Sequence, residues 1–136
     1  MASKVIMLRG EPQVDEQNAA SAAITPGQLI EKNAGAWRPH STAAGAAHRV
    51  FALERDELGK DIDQAYASGD RVKAAYCAPG DKVNAILNSG ETVAEGALLE
   101  SAGNGQLKAG TTNPVARAGA AGTAGPAAYR LPVWIV

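Results

Sequence analysis

A single cysteine in 136 residues cannot close an internal disulfide, so nothing points to a secreted scaffold held together by cystines. Aromatic residues are also scarce, at 4% of the chain. The hydrophobic share of 46% is less than it looks, because 29 alanines supply close to half of it. Small side chains remove little apolar area from water, so folding alone leaves a narrow margin and a partner surface would help. A monomeric, thick-cored enzyme is therefore disfavoured. Neither sign of charge dominates: 13 basic and 14 acidic residues leave a net charge of −1, with no footprint for nucleic acid or an anionic membrane. Long apolar runs are missing too. Val5-Ile6-Met7-Leu8, between Lys4 and Arg9, is far shorter than a signal-peptide core, and no stretch approaches the roughly 20 residues that span a bilayer. The expectation is a soluble protein that stays in the compartment where it is made.

What is present is a repeat of turn followed by strand. Gly69-Asp70-Arg71-Val72, Gly80-Asp81-Lys82-Val83 and Gly90-Glu91-Thr92-Val93 share the order glycine, acid, any residue, valine. Glycine supplies the positive φ of a tight turn, the acid beside it accepts from free backbone N–H groups, and a β-branched residue opens the next extended run. Short strands at such spacing predict a sandwich or barrel. A longer echo agrees. Ile24-Thr25-Pro26-Gly27-Gln28-Leu29-Ile30-Glu31 parallels Val93-Ala94-Glu95-Gly96-Ala97-Leu98-Leu99-Glu100, and each runs on into a second turn. Both read as β-hairpins entered through a glycine corner.

No apolar stripe with helical period persists for three turns; the best helix candidate is one or two turns over 61–67. The stretch 116–128, low-complexity Ala/Gly, reads as a long loop. Beyond it Tyr129, Leu131, Val133 and Ile135 alternate with Arg130, Pro132, Trp134 and Val136, a terminal strand apolar on both faces, with Pro132 implying an edge. Residues 1–18 read as an extended arm whose segment 4–9 could add a strand to a neighbour, and 19–136 as a single β domain. The fold class is all-β, a small β-barrel or β-clip-like (β-tulip-like) domain.

A search for chemistry finds no catalytic, cofactor-binding or metal-binding constellation. His40 and His48 stand eight apart among Ser, Thr, Ala and Gly, without a metal-ligand spacing, and read as surface-loop residues. Cys77 reads as a small buried hydrophobe. Glu54, Asp56, Glu57, Asp61 and Asp63, interleaved with Arg55 and Lys60, read as a solvated loop. The glycines at 103, 105 and 119–125 make no phosphate loop, and Trp37 and Trp134 are too few for a base-stacking platform. Gly90-Glu91-Thr92-Val93-Ala94-Glu95-Gly96-Ala97-Leu98-Leu99 resembles the opening strands of a biotinyl/lipoyl carrier domain, which also occur in β-clip domains. A carrier needs a modifiable lysine at the hairpin tip, and Ser101-Ala102-Gly103-Asn104-Gly105 has none.

The run 61–72, read Asp61-Ile62-Asp63-Gln64-Ala65-Tyr66-Ala67-Ser68-Gly69-Asp70-Arg71-Val72, is followed by Pro79-Gly80-Asp81-Lys82-Val83-Asn84-Ala85-Ile86-Leu87. Together with Ala52-Leu53-Glu54 and the 24–29 hairpin, it resembles tailed-bacteriophage capsid decoration (cement) proteins in order and spacing, over roughly residues 20–110. The resemblance implies a compact β-barrel that binds the outside of an assembled head as a homo-oligomer, a trimer ahead of a dimer, without enzymatic activity. It also implies synthesis in the host cytoplasm and a place on the outer virion surface, with the major capsid protein as partner and neither nucleic acid nor membrane. The expected capsid or subunit interface is Lys4, Ile6, Leu8 and Arg9 on the arm with Tyr129, Leu131, Val133 and Trp134 on the last strand. The competing readings are a β-clip or carrier-like module of a multicomponent enzyme, and a small carbohydrate-binding β domain.

Overall fold

The computed structural model describes residues 5–136. Thirteen strands follow one another among these residues: β1 (Met7–Arg9), β2 (Gln13–Asp15), β3 (Ile30–Asn33), β4 (Ala36–Pro39), β5 (Val50–Ala52), β6 (Ala74–Tyr76), β7 (Lys82–Leu87), β8 (Thr92–Val93), β9 (Leu98–Ser101), β10 (Leu107–Ala109), β11 (Ala116–Ala118), β12 (Gly122–Thr123) and β13 (Tyr129–Ile135). The only helical turn among them is a 3₁₀ segment, Asp56–Leu58. The protein is all-β, and its centre is a closed five-stranded barrel.

Local chemistry sets the corners. Residues 25–28, 67–70, 78–81, 88–91 and 94–97 each close a turn, with the fourth amide donating to the first carbonyl. The third residue is always glycine at positive φ, from +81° to +96°, the requirement of a type II turn. Asp70 and Asp81 reach back so that each carboxylate accepts from the first amide of its own turn, Ala67 at 2.9 Å and Ala78 at 3.0 Å. Gln28 does the same for Thr25. Glu91 departs from the pattern and accepts from the Ala109 amide on β10. The two matching segments do form hairpins, β3–β4 and β9–β10, each entered at its glycine corner.

The barrel ring runs β7-β10-β9-β11-β13 and closes by β13 on β7, whose register extends from Tyr129 opposite Leu87 to Trp134 opposite Lys82. Five strands enclose a narrow interior that side chains fill completely. Val83, Ala85 and Leu87 meet Leu131, Val133 and Ile135 there, with Ala116 and Ala118 opposite. Alanine is thus a barrel-lining residue where space is smallest. A second core holds Trp37 and Tyr66, the two largest fully buried side chains. Strand β5 serves both: Phe51 faces the barrel core, while Val50 and Ala52 face the second. That is why all three residues are buried.

Several expectations are corrected. The Ala/Gly stretch is not a long loop: β11 is a full barrel strand and β12 pairs with β8. Residues 61–67 form no helix, only a turn closed by Gln64 on Asp61, after which Tyr66 bridges to Ile24. The described part of the expected arm, residues 5–18, does not extend away. β1 pairs with β7, β2 pairs with β6, and Ile6 is fully buried in the barrel core. Nor is Pro132 at an edge, because β13 is paired on both sides. On the β11 side, just past the last ladder pair of Ala118 and Val133, the Gly119 amide still donates to the Pro132 carbonyl at 2.8 Å, so the proline forfeits only the return bond. Asn84, the Pro132 partner on β7, gives its own amide to the Ile6 carbonyl.

Candidate functional site

The expected interface residues separate into two groups. Leu131 and Val133 point into the barrel and are buried, as is Ile6, so none of the three can meet a partner. The last strand is apolar on both faces, but only the inner one is buried; Pro132 and Trp134 on the outer face are half-buried. Lys4 lies outside the described residues. Leu8 is half-buried, Arg9 exposed, Trp134 half-buried, and Tyr129 exposed at the far end of β13.

The fold brings Arg9 and Trp134 together. The Arg9 guanidinium carbon lies 5.6 Å from the Trp134 ring centroid, and the Lys82 ammonium lies 4.9 Å from it. Register explains this. Arg9 pairs with Lys82, Lys82 with Trp134, and Trp134 with Arg117, so the four form one row across β1, β7, β13 and β11 on the outside of the barrel. Lys82 and Arg117 carry no local motif, and only the pairing of distant strands reveals them.

A cleft of about 480 Å³ opens elsewhere, between the β3–β4 hairpin and the 46–50 segment, where Glu31, Lys32, Trp37, His40, His48 and Tyr76 are among its lining residues. The Trp37 ring is almost wholly covered and packs edge-on to Tyr76 at 6.1 Å, with Lys32 5.2 Å away. It offers no open face on which a sugar could stack.

His48 is exposed, as a loop residue would be, but His40 is buried, correcting its surface-loop reading. Its Nδ1 lies 2.6 Å from Ser101 Oγ, and its Nε2 faces the Ala46 carbonyl at 3.1 Å and Glu31 Oε1 at 3.6 Å. Two acceptors at Nε2 place the proton there, so Nδ1 accepts from the Ser101 hydroxyl. Burial works against the Glu31 charge, but the hydrogen bonds from Ser41 and Arg38 outweigh it and hold the carboxyl below its ordinary pKa. The order serine, histidine, carboxylate imitates a nucleophilic triad. Ser101 is wholly buried, however, and also accepts from the Gly103 amide, so its oxygen meets no substrate.

Cys77 is half-buried beside Met7, correcting its reading as a buried hydrophobe, and desolvation pushes its thiol up to about 12. Asp56 and Glu57 pair with Lys73, and Arg55 with Asp70. Among the described residues no group of three or more His, Cys, Asp or Glu is placed to hold a metal ion. No described helix is long and apolar enough to cross a membrane. No protein-family model matches the chain, and a search of curated proteins finds no match.

Proposed function

We propose that this chain is a structural protein that decorates the outside of a tailed-phage head and cements it against the pressure of packed DNA. The observation that carries the reading is Trp134, a large half-buried aromatic on the outer wall of a closed barrel that does not line the cleft. Aromatics so placed act as anchors in protein interfaces. The turn-and-strand order that resembles decoration proteins supports the same reading, and so does a barrel filled by its own side chains. The major capsid protein is the partner, on the outer surface of the virion. Self-association accompanies it, a trimer in preference to a dimer, with Tyr129 as the contact residue. No catalysis belongs to this role.

A protein that binds the closed lattice and not the separated subunits stabilises the lattice by mass action. The gain is about 2.7 kcal/mol per site at a free concentration 100 times Kd. Purified protein should co-sediment in stoichiometric amounts with mature heads, and decorated heads should retain DNA to a higher temperature than stripped ones. Equal DNA release from both would overturn the reading.

A further inference from the structure

We propose that the row Arg9–Lys82–Trp134–Arg117 is a docking strip for an acidic protein segment that carries an apolar side chain between carboxylates. The identity of that partner, an exposed acidic segment of the capsid subunit, rests on the function proposed above.

The strip is built against local electrostatics. Met7 pairs with Val83, so regular pairing would put Leu8 opposite Lys82 and Arg9 opposite Asp81. A bulge between Met7 and Arg9 instead sets Arg9 opposite Lys82. It turns Arg9 to the outer face, trades an acidic neighbour for a basic one, and brings both cations to Trp134. Like charges directly opposite across strands are destabilising. None of Arg9, Lys82 and Arg117 forms an ion pair with a carboxylate among the described residues. Asp81, beside Lys82 in sequence, gives its Oδ2 to the Ala78 amide of its own turn and lays its carboxyl against Gly10, without an ion pair to Arg9 or Lys82. Arg117 is steadied by one bond to the Gly96 carbonyl at 3.0 Å, which leaves its charge uncompensated.

Geometry selects the class of partner. Three inter-strand steps span about 14 Å, with two cations on one side of the indole and one on the other. Two or three carboxylates flanking an apolar residue match that length and order. A nucleic acid fits poorly, because single strands need several aromatic platforms along a basic groove, whereas this is one tryptophan on a convex wall in a chain of net charge −1.

The test uses the full chain and Arg9→Gln/Lys82→Gln/Arg117→Gln, whose side chains all lie on the outside, with native folding checked by near-ultraviolet circular dichroism. Poly-L-glutamate and a 20-nucleotide oligo-dT are the probes, read by the emission of Trp134 in a Trp37→Phe background and, should that background unfold, by indole NMR resonances of the unaltered chain. Poly-L-glutamate should bind the parent, weaken at least tenfold between 50 and 500 mM NaCl, and bind the triple variant at least tenfold less well. Equal binding by parent and variant, no binding by either, or tighter binding of oligo-dT would overturn the proposal. Head co-sedimentation separates the two readings. Heads that bind parent and variant equally would sink the strip and leave the capsid role standing. Poly-L-glutamate binding that depends on the strip, with no binding to heads, would sink the capsid role and leave the strip.

Discussion

Arg130 Nη1 donates to the Pro26 carbonyl at 2.6 Å, tying the last barrel strand to a turn 104 residues earlier. The same guanidinium donates through Nη2 to the Ile62 carbonyl, so one side chain joins the barrel wall to the corner of the first hairpin and to the 61–64 turn. Gly27 lies against it. A Cβ there would meet Arg130 Nη1 and the Asn84 carbonyl, leaving no room for any other residue.

Arg130→Met should therefore destabilise by about 2–4 kcal/mol, because both carbonyls lose a charged donor in a partly buried setting. The ion pair with Asp63 adds little: that carboxylate is 81% exposed, and Asp63→Asn should change stability by less than about 0.5 kcal/mol. Urea denaturation of the two variants measures the contrast. Equal losses would show that the ion pair, not the carbonyl bonds, holds the joint.

The N-terminal segment offers a second test. Ile6 is fully buried in the barrel core, and its carbonyl takes the amide of Asn84. Ile6→Ala should cost about 2–5 kcal/mol. Deleting residues 1–18 should cost more, since β1 and β2 are lost together and with them one edge of each sheet they extend. A thermal scan showing an unchanged midpoint for the deletion would mean the segment is a detachable arm after all.

How far the sequence could carry the reading depended on the range of the interactions. Gly69-Asp70 and Gly80-Asp81 announced their corners because each turn is closed by its own four residues. The paired hairpins were legible for the same reason. β11 was not, because Ala116 and Ala118 are barrel residues only by virtue of the space left by β9 and β13. His40 looked like a loop histidine because its partner Ser101 lies 61 residues away. Of the candidate interface, Arg9 and Trp134 could be named in advance. Lys82 and Arg117 could not, since a one-residue bulge decides which side chains share the row.

High pH should loosen the fold through two groups. Burial raises the Cys77 thiol to about 12 and raises the Tyr66 phenol above its ordinary value of 10.0. In both cases the neutral form belongs to the folded state. Stability is thus complete below the unfolded values, about 9 for the thiol and about 10 for the phenol, and is lost as pH rises towards the folded ones. Tyr66 Oη also donates to the Leu53 carbonyl at 2.6 Å and accepts from the Lys73 amide, so Tyr66→Phe should cost about 1–3 kcal/mol at pH 7. It should also flatten part of the alkaline decline. At pH 8 the Cys77 thiol should alkylate with iodoacetamide about a hundredfold or more slowly than in urea, because its thiolate is almost absent. Equal alkylation rates in the two states would contradict the raised Cys77 pKa.

The buried relay of Ser101, His40 and Glu31 decides whether a hidden hydrolase has been overlooked. A working nucleophile needs an approach path for substrate and donors aimed at the developing oxyanion. Ser101 Oγ has neither, for it is enclosed, donates a hydrogen bond to His40 Nδ1 and accepts one from the Gly103 amide. Its task is to hold His40, whose Nε2 in turn faces the Ala46 carbonyl, so that the 40–46 loop stays fastened to the end of β9. Ser101→Ala should then cost about 1–3 kcal/mol, since a buried ring nitrogen and a backbone amide both lose their partner. A fluorophosphonate should leave the native protein unlabelled at every serine, Ser101 included. Covalent labelling of Ser101 that disappears in His40→Phe would instead show a reactive serine, and the purely structural role would fall.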